Sequence, residues 1–162
     1  MIAEDMKIIK RFILIDDDSI SNFLSKFLIN KAGHADVLIM TKPEKALNYI
    51  EAVYSNMETS FPTVILLELN TATMTGWQFL DFFSKFSEKI KQQFTIHILS
   101  SSIHEQDKDR ALSSPLITEY IEKPITLETA KRIFANEKIL EKRNVNPTGI
   151  HATLTPYSQT EL

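Results

Sequence analysis

The chain of 162 residues contains no cysteine, which excludes disulfides, thiol nucleophiles and cysteine-ligated zinc. Its histidines are His34, His97, His104 and His151, scattered without helical metal-ligand spacing, so a histidine-built metal site is not expected. No apolar run approaches the roughly 20 residues of a membrane span. The segment MIAEDMKIIKRFILIDDD is also too interrupted for a secretory signal, because Glu4 and Asp5 precede its short apolar stretch and Lys10 and Arg11 break it. A cytoplasmic location is the expectation. A dominant charge is missing too: the formal net charge is only −3, which gives no electrostatic reason to expect nucleic acid as the main partner. With 43% hydrophobic and 24% charged residues, the length suits one compact domain and is short for two.

Short apolar runs alternate with helical patterns. Phe12 to Ile15, Asp36 to Met40, Thr63 to Leu69, Phe94 to Ser100 and Ile117 to Ile121 are strand-like. The third is almost continuously apolar, as a parallel strand buried on both faces requires. Stripes at helical spacing lie between them. They are Ile20, Phe23, Leu24, Phe27 and Leu28, then Ala46, Leu47, Ile50 and Val53, then Phe79, Leu80, Phe83 and Phe86. His104 to Leu112 is polar and predicts a short exposed helix, and Leu127, Ala130, Ile133, Phe134 and Leu140 form the last stripe. Ser19, Pro43 and Thr126 are placed to open the first, second and last helices. Five strand–helix repeats imply right-handed crossovers and an α/β fold, a flavodoxin-like (βα)5 doubly wound parallel sheet of strand order 2-1-3-4-5. The expected domain is 8–142, followed by a polar, linker-like tail over 143–162.

In such a sheet, ligands bind beyond the carboxyl ends of the strands, at the switch point. That rule gathers Asp16 and Asp17 from strand one, Glu68 from strand three, Ser100 from strand four and Lys123 after strand five. Taken singly, the aspartates fit a solvated helix-capping turn, Ser100 a strand-end hydroxyl and Lys123 a surface lysine. Together, acidic ligands for a cation, a hydroxyl and an ammonium form a coherent set for holding a phosphoryl group.

Four segments carry a family resemblance. ILIDDDSIS resembles the acidic pocket of response-regulator receivers. VILLELNTATMTG resembles their phosphorylation loop, usually aspartate–x–asparagine–Met-Pro–x–Met-Asp-Gly. HILSSS resembles the strand ending in their switch hydroxyl, and EYIEKPIT their lysine–proline turn. The likeness spans roughly residues 8 to 140. It implies that Asp17 and, through water, Asp16 help hold Mg²⁺ with Glu68 and the backbone carbonyl of Asn70, and that Mg²⁺ binding is weak. It implies Ser100 as switch hydroxyl, Lys123 as phosphoryl contact and Tyr120 as the aromatic that turns inward on activation. Packing on an edge strand is the plain alternative for Tyr120. The implied partners are a sensor histidine kinase or phosphotransfer protein and a downstream protein target, met through the region from about His104 to Leu140. A homodimer is a further option, and no membrane or nucleic-acid partner is implied. Past Lys142 the chain is too short and polar for a helix-turn-helix unit, so a stand-alone receiver is expected.

The pattern breaks at its centre. The acceptor aspartate is Glu68, the Met-Pro pair is Thr71-Ala72, and Thr75 replaces the acidic residue before Gly76. Glutamate places its carboxylate farther out by one C–C bond, about 1.5 Å. Misplacement of about 1 Å can cost on the order of a hundredfold in rate, so phosphorylation at Glu68 should be poor. Losing the proline should also free the loop backbone. Three readings follow: Glu68 partly imitates the phosphoryl group, the receiver works without phosphate, or the glutamate is an introduced or drifted substitution. An imitation is partial because a carboxylate has one negative charge where a phosphoryl group brings up to two.

An enzymatic alternative shares the first motif. FILIDDDSI also resembles haloacid-dehalogenase-like Mg²⁺-dependent phosphatases, with Asp16 as nucleophile and Asp18 as acid–base. That family needs an acidic pair on a strand after the motif lysine, whereas only Glu128, Glu137, Glu141 and Glu161 follow Lys123, in helix-like or tail sequence. Trp77 and Phe82 lie off the main stripe of the third helix and are candidates for a partner surface.

Overall fold

A computed structural model describes residues 8–135. Five strands form one parallel sheet: β1 (Arg11–Ile15), β2 (Asp36–Met40), β3 (Thr63–Leu67), β4 (Phe94–Ser100) and β5 (Ile117–Glu122). Their order is β2-β1-β3-β4-β5, as expected. Ile13 pairs with Leu38 on one side and Ile65 on the other, and Ile65 pairs with Ile96, which brings the strand tips to one edge. All five residues of β3 are buried, the physical consequence of a central parallel strand covered on both faces.

The helices are α1 (Ser19–Ala32), α2 (Pro43–Tyr54), α3 (Gly76–Phe83), α4 (Glu88–Lys91), α5 (Glu105–Ser113) and α6 (Leu127–Phe134). One core, under α2 and α3, centres on Ile13, Ile15, Ile50, Tyr54, Ile65 and Phe79. The other, under α1 and α6, centres on Phe12, Leu14, Ile29, Leu66, Ala130 and Ile133. Tyr54 is fully buried without an orphan hydroxyl because its oxygen lies 2.6 Å from Thr63 Oγ1. Among the described residues no helix is long and apolar enough to cross a membrane.

Several expectations are corrected. The four-residue α4 carries too little pattern to have been anticipated. Glu68 lies one residue past β3 rather than at its end, although its N–H still donates to Ile15 O at 2.9 Å and so continues the sheet spacing. The last helix ends at Phe134, and Leu140, the boundary at 142 and the tail lie outside the described residues.

The largest correction concerns α1. Asp18, not Ser19, caps it, its carboxylate accepting from Ile20 N and Ser21 N. The residues facing the sheet are Asn22, Ser25 and Ile29. Ile20, Phe23 and Phe27 are exposed instead, at 78, 74 and 50%. Of the expected stripe Leu28 does pack against the core, but the two sets share the same i, i+3, i+7 spacing, so hydrophobicity placed Ile20, Phe23 and Phe27 on the wrong face. A buried hydrogen bond, Asn22 Nδ2 to Asp16 O at 2.8 Å, holds the polar face inward.

A second polar contact lies inside the α6 side of the sheet. His97 Nδ1 on β4 is 3.1 Å from Glu119 Oε2 on β5, and Arg132 of α6 pairs with both oxygens of the same carboxylate. Burial works to raise the Glu119 pKa, but His97 and Arg132 outweigh it and leave the group below the usual carboxylate range.

Candidate functional site

The parallel sheet delivers Asp16 from the β1 tip, Glu68 from the β3 tip, Ser100 from the β4 end and Lys123 from the turn after β5 to one crevice. Asp16 and Glu68 are 5% and 3% exposed and Ser100 is fully buried, so these groups lie within the protein. Lys123 Nζ sits 2.6 Å from Asp16 Oδ2 and 2.8 Å from Glu68 Oε2. Burial pulls the lysine pKa down, yet the hydrogen bonds to Asp16 and Glu68 more than offset this and raise it, so it is an ammonium at neutral pH. Ser100 Oγ donates to Glu68 Oε1 at 2.6 Å, and Asn70 N donates to the same oxygen at 3.1 Å. Both oxygens of Glu68 are therefore engaged.

Oxygens of the two aspartates are held as well. Asp16 Oδ1 accepts from Asp18 N at 2.9 Å. Asp17 Oδ2 accepts from Ala72 N at 3.0 Å. A proline at 72 has no N–H and could not make this bond. The altered loop is thus tied to β1, and not freed as the missing proline suggested. Thr71 Oγ1 to Met74 O and Thr73 Oγ1 to Glu44 Oε2, 2.9 Å, tie it further. Thr75 opens α3 with a reciprocal capping box to Gln78. Gly76 is required by proximity: a Cβ there would stand 2.8 Å from Glu68 O and 3.0 Å from Leu69 Cα. Tyr120 is half-buried against the core beneath α2 and α3, and its hydroxyl donates to Ser102 O at 2.8 Å. Burial raises the phenol pKa and hydrogen bonds to Ser100 and Ser102 only partly counter this.

Each predicted site residue reaches this crevice or its rim. Sequence reasoning marked Ala72 and Gly76 only as parts of the loop pattern, and gave Asn22 and Ser102 no part in the site. The Ala72-for-proline exchange was a signal that an N–H had been gained.

The donors Asp16, Asp17, Glu68 and the Asn70 carbonyl are hard oxygens of the type Mg²⁺ prefers. Their arrangement leaves a cation to displace partners already in place. An ammonium stands between Asp16 and Glu68, Ala72 holds Asp17, and among the described residues no three His, Cys, Asp or Glu side chains form a group able to hold a metal ion. Ala72→Pro removes the hydrogen bond to Asp17, and Trp77 fluorescence should then respond to lower Mg²⁺ concentrations than in the unmutated chain. Identical titrations would show that this bond does not restrain Asp17.

Comparison with solved structures gives consistent neighbours. A two-component response regulator from Cytophaga hutchinsonii is 27% identical with a TM-score of 0.68, over 80% of this chain and 98% of that one. The chain has the fold of a response-regulator receiver domain. A response regulator receiver protein from Dyadobacter fermentans matches the receiver at a TM-score of 0.67 and 22% identity, over 78% of this chain and 96% of that one. The phosphorylated cyanobacterial phytochrome response regulator RcpA matches at 0.60 and 23%, over 79% and 90%. No family model matches the chain, and no curated protein matches it. Receivers are in general signalling modules, and the phosphatase alternative finds no support in Asp18, whose carboxylate caps α1.

Proposed function

We propose that this receiver works in phosphorelay signal transduction with Glu68 standing in, partly, for a phosphorylated aspartate, and that it acts through protein–protein contacts. One observation carries this reading. The Glu68 carboxylate already takes the hydroxyl of Ser100, the ammonium of Lys123 and the Asn70 N–H, the donors that would otherwise neutralise phosphoryl oxygens. Tyr120, bonded to the Ser102 carbonyl and packed on the core, is in keeping with a switch held in one setting. Mg²⁺, which receivers typically bind, must here compete with Lys123, so its binding is weak.

The partners are a sensor histidine kinase or phosphotransfer protein and a downstream protein, meeting the α5–β5–α6 side. α5 supports that assignment by being exposed along most of its length, with only Ala111 buried. Treatment with acetyl phosphate followed by intact-mass measurement tests the reading. The unmutated chain should stay unlabelled, because its carboxylate is engaged on both oxygens. A stoichiometric, base-labile phosphate on it would overturn the proposal.

A further inference from the structure

We propose that Asp107 is a positioning residue that passes the condition of the Glu68 pocket to the groove between α3 and α5; this rests on the reading that Glu68 sets the pocket. The connection can be followed bond by bond. Ser100 Oγ, which donates to Glu68, accepts from Ser102 N at 3.2 Å. Ser102 Oγ donates to Asp107 Oδ2 at 2.7 Å, and Trp77 Nε1 donates to Asp107 Oδ1 at 3.3 Å. The Arg110 guanidinium lies 4.2 Å from the Trp77 ring centre. Both then wall a cavity of about 120 Å³ with Leu80, Asp81 and Leu116.

Asp107 divides its two oxygens between the switch loop and the indole of another helix. If Ser100 loses Glu68, the Ser102 backbone loses its fixed partner, its hydroxyl shifts, and the carboxylate that holds Trp77 must follow. Anchoring of α5 alone does not require the second half of this arrangement. His104 makes no side-chain cap, and Ser102 Oγ already accepts from His104 N at 3.4 Å, which secures the helix start. The bond to Trp77 crosses from α5 to α3 and serves no capping purpose. Tyr120 holds the same loop from β5 through Ser102 O, so the loop is constrained from three sides and a change in one contact is transmitted rather than absorbed.

Trp77 is the only tryptophan, so one indole N–H resonance reports on the groove. Ser100→Ala, Ser102→Ala and Glu68→Ala should each move that resonance in the same direction and increase quenching of Trp77 by iodide. In an Asp107→Ala background, Glu68→Ala and Ser100→Ala should move it no further. Asp107→Asn, which keeps the shape and one acceptor, should restore part of the response; circular dichroism confirms that each variant is folded. An anchor without relay function predicts additive shifts, and full retention of the Glu68→Ala shift in both Asp107 variants would overturn the proposal. If Ser100→Ala and Ser102→Ala move the indole but Glu68→Ala does not, the relay stands and the reading of Glu68 fails. If none of the three moves it while the unmutated chain still refuses phosphate, the relay fails and that reading stands.

Discussion

Glu68→Asp is expected to turn a chain that does not react with acetyl phosphate into one that gains a single phosphoryl group in a Mg²⁺-containing buffer. Shortening the side chain by one methylene withdraws the carboxylate by about 1.5 Å. It then no longer reaches Ser100, which Glu68 holds at 2.6 Å, and space opens between the carboxylate and the hydroxyl. A phosphoryl group can enter that space: an aspartate oxygen forms the new bond to phosphorus, and the bond to acetate breaks with acetate leaving. Lys123, held by Asp16, stands ready to neutralise the transferred oxygens. The gain should be on the order of a hundredfold or more in labelling rate, the scale set by about 1 Å of displacement from attack geometry. Intact mass read over time measures it. A folded Glu68→Asp variant that remains unlabelled would mean that more than side-chain length blocks the chemistry, with the Ala72–Asp17 bond the first alternative to test.

Lys123→Met should be the most damaging single change to stability. It removes the cation bonded to both buried carboxylates and leaves Asp16 and Glu68 without it in the crevice. Breaking a buried pair in this way costs about 3–5 kcal/mol. That is a large fraction of the roughly 5–15 kcal/mol that holds an ordinary domain together. The effect has a defined pH window. The folded lysine pKa is raised above its ordinary value, so its contribution is fully present below the unfolded lysine value of about 10.4. It is lost as pH rises through the folded value. Urea denaturation should therefore show a constant gap between the unmutated chain and Lys123→Met across the neutral range, which closes in strong alkali. A gap already absent at neutral pH would place Lys123 in solvent.

The strands were legible because burial on both faces demands continuous apolar runs, and Phe12 to Ile15 and Thr63 to Leu67 supply them. Strand order and the convergence of Asp16, Glu68, Ser100 and Lys123 followed from the crossover and strand-tip rules. The orientation of α1 was not legible. Asn22, Ser25 and Ile29 repeat at the same interval as Ile20, Phe23 and Phe27, and the inward set carries a hydrogen bond from Asn22 to Asp16 O that periodicity does not reveal. The loop contacts were hidden for a related reason. Ala72, Ser102 and Asp107 act through backbone N–H groups and short side chains whose partners depend on loop path, and composition does not encode that path. The added length of Glu68 could be read from its chemistry, but its capture by Ser100 could not.

The central claim is that Glu68 and Lys123 form one buried unit. A double-mutant cycle of Glu68→Gln and Lys123→Met, measured by urea denaturation at neutral pH, tests it most directly. A coupling energy of about 2 kcal/mol or more is expected for charges in direct contact, whereas additivity within about 0.5 kcal/mol would show that the two side chains do not meet.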